Sequence, residues 1–106
     1  MIRHIVFFTV GNEANRQAVQ DGLSLLKDIP HAEVLEIGVN RKTDALSSET
    51  DFVVYGEFAD EAALAAYKAH PLYQKSIEMV RPLRDTRIAA DFDATTGKAG
   101  KRSHAA

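Results

Sequence analysis

A single histidine stands inside the first hydrophobic segment of the chain, Ile2-Arg3-His4-Ile5-Val6-Phe7-Phe8-Thr9-Val10. An imidazole can act as a general acid or base near neutral pH, and it can also donate a hydrogen bond to a ligand. The alternative is a buried histidine satisfied by a backbone carbonyl or a tyrosine, because an unpaired polar group in an apolar strand costs about 1–3 kcal/mol. His4 is therefore a candidate catalytic residue, and both interpretations stay open.

Three tyrosines and a second histidine could complete a site with His4. Two of the tyrosines flank a His-Pro pair in the segment Tyr67-Lys68-Ala69-His70-Pro71-Leu72-Tyr73. Their hydroxyls could orient a carbonyl group or line a cavity, although aromatic residues at such spacing more often belong to the core. His70 could contact a ligand or cap the helix that Pro71 begins. We therefore expect two further catalytic residues, Tyr67 and Tyr73, and three ligand-binding residues: Val6, Tyr55 and His70.

Three arginines near the end of the last helical segment could bind an anion. Arg81, Arg84 and Arg87 follow one another closely, with Asp85 among them. Charges with this spacing beside a helix end and an edge strand are more often solvated or loosely paired. An anion site and a solvated surface are both open at this point.

Composition and charge exclude several kinds of function. The chain has 106 residues, a formal net charge of −2 and no cysteine, so thiol nucleophiles, disulfides and iron–sulfur clusters are absent. This charge offers no basic field for nucleic acid or anionic lipid, and no apolar run approaches the roughly 20 residues of a membrane span. The histidines lack metal-ligand spacing, and no glycine-rich phosphate loop is present. We expect a cytoplasmic protein with no metal, organic cofactor, nucleic-acid partner or membrane contact.

The hydrophobic pattern predicts the element order β-α-β-β-α-β. Period-two alternation of apolar residues indicates four strands, over residues 2–10, 32–40, 52–58 and 86–92, the last of them at a sheet edge. Helical spacing indicates an amphipathic helix from Ala14 to near Pro30 and a bent helical region from Asp60 to near Pro82. This order is typical of the ferredoxin-like plait, an α+β fold in which helices cover one face of a four-stranded antiparallel sheet.

Both faces of the predicted first strand carry bulky apolar side chains. Ile5 and Phe7 lie on one face, and His4 lies on the other among apolar residues. Since two helices cover only one face of an antiparallel sheet, the other face needs a second cover, most simply another copy of the chain. We expect this second face, with His4 embedded in it, to be both the dimer surface and the site. Asp51 and Glu57 lie at the two ends of the third strand, where we expect solvent to reach them.

Three segments together resemble the stress-responsive A/B barrel domain, a family of dimeric α/β barrels: Ile2–Phe8, the Ile29-Pro30 helix end and Tyr67–Tyr73. The resemblance covers residues 1–92 and implies a ferredoxin-like plait whose open sheet face packs on the same face of a second subunit. Residues 94–106 lack large apolar side chains, so we expect a flexible tail after a domain that spans residues 1–93.

Members of this family include plant polyketide cyclases, which close a linear poly-β-keto chain by aldol condensation without metal or organic cofactor. The resemblance implies that His4 matches their first-strand histidine and that Tyr67 matches a tyrosine which helps it. The sequence departs from them at two positions: Tyr73 stands where they have a second histidine, and Gly22 where they have a tyrosine on the first helix. A phenol is a poorer general base than an imidazole at neutral pH.

Three functions follow as hypotheses. The first is a homodimeric protein that binds a small apolar or aromatic molecule in a cavity between helices and sheet, near His4. The second is a cofactorless cyclase or lyase in which His4 is the base and Tyr67 or Tyr73 orients the substrate carbonyl. The third is a purely structural dimer without a ligand.

Overall fold

The strands form one antiparallel sheet in the computed structural model, which describes residues 1–94. They are β1 (Ile2–Thr9), β2 (Val34–Val39), β3 (Phe52–Phe58) and β4 (Thr86–Asp93), and their order across the sheet is β2-β3-β1-β4. The prediction of a four-stranded antiparallel ferredoxin-like plait is confirmed, with β1 and β3 at the centre and β4 at an edge. The predicted tail, after its first residue Ala94, lies outside the described residues, and the domain boundary stays a prediction.

Helices cover one face of this sheet. The first is α1 (Arg16–Ser24), which continues from a 3-10 turn at Glu13–Asn15 and into another at Leu25–Asp28. The others are α2 (Glu61–Ala69) and α3 (Pro71–Val80). Together they account for the predicted helix that ends near Pro30 and for the predicted bend at the His-Pro pair.

Local chemistry explains where α2 and α3 begin. Asp60 caps α2, because its Oδ1 accepts a hydrogen bond from the amide of Ala63 at 2.9 Å. His70 caps α3 in the same way, since its Nδ1 accepts from the amide of Leu72 at 3.1 Å, and Pro71 occupies the first helical position. The bend between the two helices is thus encoded by residues 70 and 71.

A glycine allows α1 to pack closely against α3. A Cβ atom at Gly22 would lie 2.8 Å from Cγ2 of Val80 and 3.1 Å from Cβ of Met79. Any larger side chain therefore requires the two helices to move apart. This close approach leaves no room at residue 22 for the tyrosine that the resemblance to the cyclases would imply.

The alternation along β1 separates its two faces. Ile2, His4, Val6 and Phe8 are buried beneath the helices, whereas Phe7 on the other face is 42% exposed. His4 itself is only 2% exposed. The prediction that His4 lies in the open, dimer-forming face is therefore wrong. Both faces of the strand are apolar, so alternation alone could not show which one meets the helices.

The expectation that solvent reaches Asp51 is also wrong, since its residue is 3% exposed. The carboxylate accepts a hydrogen bond from the amide of Val10 at 2.6 Å and lies 2.6 Å from Nζ of Lys42 and 3.4 Å from Nε of Arg16. Burial disfavours the charged form, but these hydrogen bonds and the two cationic neighbours outweigh it and hold the pKa of Asp51 below its usual value. The group ties the end of β1 to the loop before β3.

Candidate functional site

A cavity of about 290 Å³ lies between the helices and the covered face of the sheet. Its apolar wall comes from the sheet through Val6, Phe8 and Val54. The helical side adds Leu23, Leu26, Ile77 and Val80. Ligand pockets usually measure roughly 300–1,000 Å³ and are largely apolar with a few polar groups, so this cavity suits a small molecule.

The predicted residue His4 lines this cavity and is held by a carboxylate. Its Nδ1 lies 2.5 Å from Oδ1 of Asp91. Asp91 belongs to β4 and pairs directly with His4 in the register of β1 and β4. Because an ionised carboxylate only accepts hydrogen bonds, Nδ1 carries the proton in this pair. The other ring nitrogen, Nε2, has no hydrogen-bond partner among residues 1–94 and is left to accept from, or exchange a proton with, a bound molecule.

Aromatic rings enclose the histidine. The ring centroids of Phe58 and Tyr67 each lie 6.2 Å from that of His4, both in an edge-on arrangement. Gly56, which pairs with His4 across the sheet, keeps this position free of a side chain, because a Cβ there would lie 2.8 Å from the Phe58 ring. His4 thus lies between two aromatic rings, with its acidic partner on the neighbouring strand β4.

The structure brings the two predicted catalytic tyrosines together. Tyr67 and Tyr73 both line the cavity, and their ring centroids are 5.2 Å apart. Burial raises the pKa of Tyr67 well above its usual value of 10.0, the neighbouring Tyr73 adds to this rise, and the charge of Arg87 opposes it. Tyr67 therefore remains a neutral phenol at physiological pH, which can donate a hydrogen bond but cannot serve as a base.

Of the three predicted ligand-binding residues, only Val6 lines the cavity. Tyr55 lies on the open face of the sheet, where its hydroxyl donates a hydrogen bond to Glu57 at 2.5 Å and Arg3 is 3.4 Å away. His70 caps α3, as the structural interpretation of this residue anticipated, and its ring faces that of His31 with centroids 6.2 Å apart. The structure does not bring Tyr55 or His70 into the site.

Two polar residues of the site were not found from sequence. Asp91 stands in the last strand without a motif, and only the pairing of β4 with β1 places it beside His4. Ser76 is 4% exposed and lines the cavity from α3. No local signal in the sequence could have found Asp91, because its place beside His4 depends on the register of β4 against β1.

The arrangement can hold a molecule and exchange a proton with it. An Asp-held imidazole and a neutral phenol near it are suited to accept a proton from carbon or oxygen and to donate a hydrogen bond to a carbonyl oxygen. Within residues 1–94, no group of three or more histidine and acidic side chains is placed to hold a metal ion. In the same part of the chain, no helix is long and apolar enough to cross a lipid bilayer.

Comparisons with known proteins agree on the architecture. The sequence pattern described as "Stress responsive A/B Barrel Domain" matches residues 2–94 of the chain. No curated protein matches it significantly. A dimeric ferredoxin-like protein of unknown function from Thermobifida fusca is similar, with 25% sequence identity, 86% of this chain and 88% of that chain covered, and a TM-score of 0.72.

Two further solved structures show the same fold. One is a dimeric ferredoxin-like protein of unknown function from Jannaschia, with 21% identity, coverage of 88% of this chain and 98% of that chain, and a TM-score of 0.77. The other is a Dabb family protein with a ferredoxin-like fold from Mesorhizobium loti, with 23% identity, coverage of 87% and 94%, and a TM-score of 0.71. All three span nearly the whole described domain.

Proposed function

Because the chain belongs to the stress-responsive A/B barrel family, we propose that it is a homodimeric barrel protein that binds a small apolar or aromatic molecule beside His4. The observation that carries the proposal is the 290 Å³ cavity, whose apolar walls converge on a buried histidine with an engaged Nδ1 and an unengaged Nε2. The cavity is open to solvent on the side of the exposed Arg81 and Arg87, so a small molecule has a path into it.

Two observations support the homodimer. The sheet face opposite the helices exposes large apolar side chains, among them Phe7, Ile88 and Phe92. Similar proteins of the same fold from Thermobifida fusca and Jannaschia are dimeric. An exposed apolar sheet face in a small domain is the kind of surface that an obligate dimer covers.

Ligand binding is tested with two neutral probes, acetophenone and cyclohexanone, by thermal shift and by titration calorimetry. We expect either probe at about ten times its Kd to stabilise the protein by about 1.4 kcal/mol. Ser76→Leu places a larger apolar side chain in the cavity wall and should abolish the shift. Ser48→Leu makes the same chemical change in the exposed loop before β3 and should leave the shift unchanged.

His4→Ala completes this experiment, because it removes the imidazole and leaves the cavity larger. Since Nε2 and a ketone oxygen are both hydrogen-bond acceptors, the imidazole is tested with a third probe, benzyl alcohol, whose hydroxyl can donate to Nε2. We expect benzyl alcohol to bind more weakly to His4→Ala than to the wild-type protein through loss of this acceptor. If neither ketone raises the melting temperature of the wild-type protein while all variants remain folded by circular dichroism, the cavity is a packing defect. The purely structural alternative is then favoured.

The pairing of His4 with Asp91 favours one second candidate, a cofactorless cyclase or lyase acting on a β-keto or polyketide-like substrate. His4 would be the base, Asp91 would hold its tautomer as a positioning residue, and Tyr67 would donate to the carbonyl oxygen. Turnover of a tetraketide-type substrate should fall by about 100-fold or more in His4→Ala, the usual contribution of a general base. Absence of turnover by the wild-type protein across a panel of such substrates would refute this candidate and leave the binding proposal standing.

A further inference from the structure

Three arginines line one part of the cavity described above. Arg81 follows α3, Arg84 lies in the turn after it, and Arg87 is in β4. Arg84 is half-buried, while Arg81 and Arg87 are exposed. No acidic side chain of residues 1–94 lines the same cavity. The wall of the site is therefore cationic here, and the rest of it is apolar apart from His4, Tyr67, Tyr73 and Ser76, in a chain whose net charge is −2.

The nearest carboxylate in sequence does not neutralise these arginines. Asp85 lies between Arg84 and Arg87, but its Oδ2 accepts a hydrogen bond from the amide of Gly11. A Cβ at Gly11 would lie 2.6 Å from that same oxygen, so the turn after β1 is shaped for this contact. Among residues 1–94, none of the three guanidinium groups lies within 4.0 Å of a carboxylate oxygen.

The second carboxylate near the cavity is also engaged. Asp91 is bound to His4, and in the pairing of β1 with β4 it lies opposite His4, while Arg87 lies opposite Phe8. Four residues along a strand separate the two pairs by about 13 Å. The site therefore has a histidine–aspartate end and an arginine end with an apolar stretch between them.

Like charges that converge on a cavity repel one another unless a counter-charge lies among them. Arginine guanidiniums also bind planar oxyanions in bidentate geometry, with charge-assisted hydrogen bonds that are about twice as strong as neutral ones. Arg84 Nη1 donates a hydrogen bond to the backbone carbonyl of Asp85 at 3.4 Å, but none of the three arginines has a carboxylate partner among residues 1–94. They thus match a ligand that supplies a negative charge.

We propose that the molecule bound in this cavity is an oxyanion-bearing apolar or aromatic compound, whose carboxylate or phosphate is held by Arg81, Arg84 and Arg87 while its apolar body lies toward His4. The inference rests on the proposed function, because it specifies the class of ligand for the same cavity. It also separates the roles of the two ends: the arginines select the ligand, and the histidine contacts its uncharged part.

The test compares three probes of similar size: phenylacetate, phenyl phosphate and the neutral phenylacetamide. Calorimetric titration at low ionic strength should show that at least one of the two anions binds about tenfold or more tightly than the amide, and the preferred anion identifies whether the natural group is a carboxylate or a phosphate. Added salt should reduce this difference, because the arginines are partly exposed.

Arginine variants test whether the anions bind at the arginine end of the cavity. In Arg81→Gln/Arg84→Gln/Arg87→Gln the anions should bind no better than the amide, whose own affinity should stay the same. Arg41→Gln removes an exposed positive charge from the loop before β3, outside the cavity, and should keep the full difference. These variants alter surface or half-buried positions, so circular dichroism and thermal melting should show a folded protein.

The outcomes distinguish the inference from the proposed function. Equal binding of amide and anions by the wild-type protein, blocked in Ser76→Leu, would overturn the oxyanion inference and leave the binding cavity standing. Stronger anion binding that survives in the triple arginine variant would likewise overturn it, since the anion would then bind elsewhere. If the neutral ketones, the amide and the anions all fail to bind, both proposals are overturned together.

Discussion

The exposed apolar face of the sheet predicts that a charge introduced there weakens dimerisation. Ile88 lies on the edge strand β4, opposite Phe7 of β1, and its residue is 65% exposed in the single chain. If two copies pack these faces together about a twofold axis, each copy contributes one Ile88 to the interface. Ile88→Glu places a charge in that interface in both subunits.

The expected magnitude follows from the exposed fraction. Complete burial of an isoleucine side chain is worth about 1.5–3 kcal/mol, so covering the exposed part of Ile88 is worth about 1–2 kcal/mol per copy and about 2–4 kcal/mol per dimer. The loss of this term weakens dimerisation by about 30- to 1,000-fold. Desolvation of the introduced carboxylates adds to the loss.

Sedimentation velocity over a concentration series measures this shift directly. Val39→Glu is the matched control, because Val39 is also a β-branched residue on an edge strand and is 60% exposed, but pairs with buried Phe52 on the helix-covered side of the sheet. We expect the control to dimerise like the wild type. The reasoning is refuted if wild-type protein sediments as a monomer at micromolar concentration, or if Ile88→Glu and Val39→Glu have equal effects.

Two further predictions concern buried contacts outside the cavity. The pKa of Asp51 is held below its usual value of 3.8, so the carboxylate stabilises the fold above that pH, and this contribution is lost as the pH falls through the depressed pKa. The difference in unfolding free energy between wild type and Asp51→Asn, measured by urea denaturation, should therefore shrink on acidification below about pH 4, and a constant difference would contradict the ion-pair account. Gly22→Ala should lower the unfolding free energy by about 1 kcal/mol, because overpacking against Val80 exceeds the gain in helix propensity. An unchanged or raised melting temperature would show that α1 and α3 separate without cost. Gln20→Ala, on the same helix, is the control.

Short-range chemistry explains why so much of the fold could be predicted. Alternating apolar residues specify β1 and β3 as strands, and Asp60, His70 and Pro71 specify helix starts through contacts within a few residues. These signals act locally, so they can be interpreted without knowing which distant segment packs nearby. They were sufficient to predict the α+β plait and the central positions of β1 and β3 in the sheet.

The site depended on long-range pairing and was predicted only in part. The structure places His4, Tyr67, Tyr73 and Val6 around one cavity, and their catalytic and binding roles stay predictions. His4 was assigned to the wrong face, and Tyr55 lies on the opposite side of the sheet. Asp91 is separated from His4 by 87 positions in the chain, and no local pattern connects them.

The sequence by itself determined the elements, their order and the presence of two apolar faces on the central strands. Only the tertiary structure decided which face the helices cover, which aspartate holds the histidine, and that three arginines separated by a helix end and a turn meet at one cavity. The physical reason is that alternation in a strand defines two faces but not their neighbours. Those neighbours are chosen by the sheet register and by helix packing, which depend on contacts summed over the whole chain.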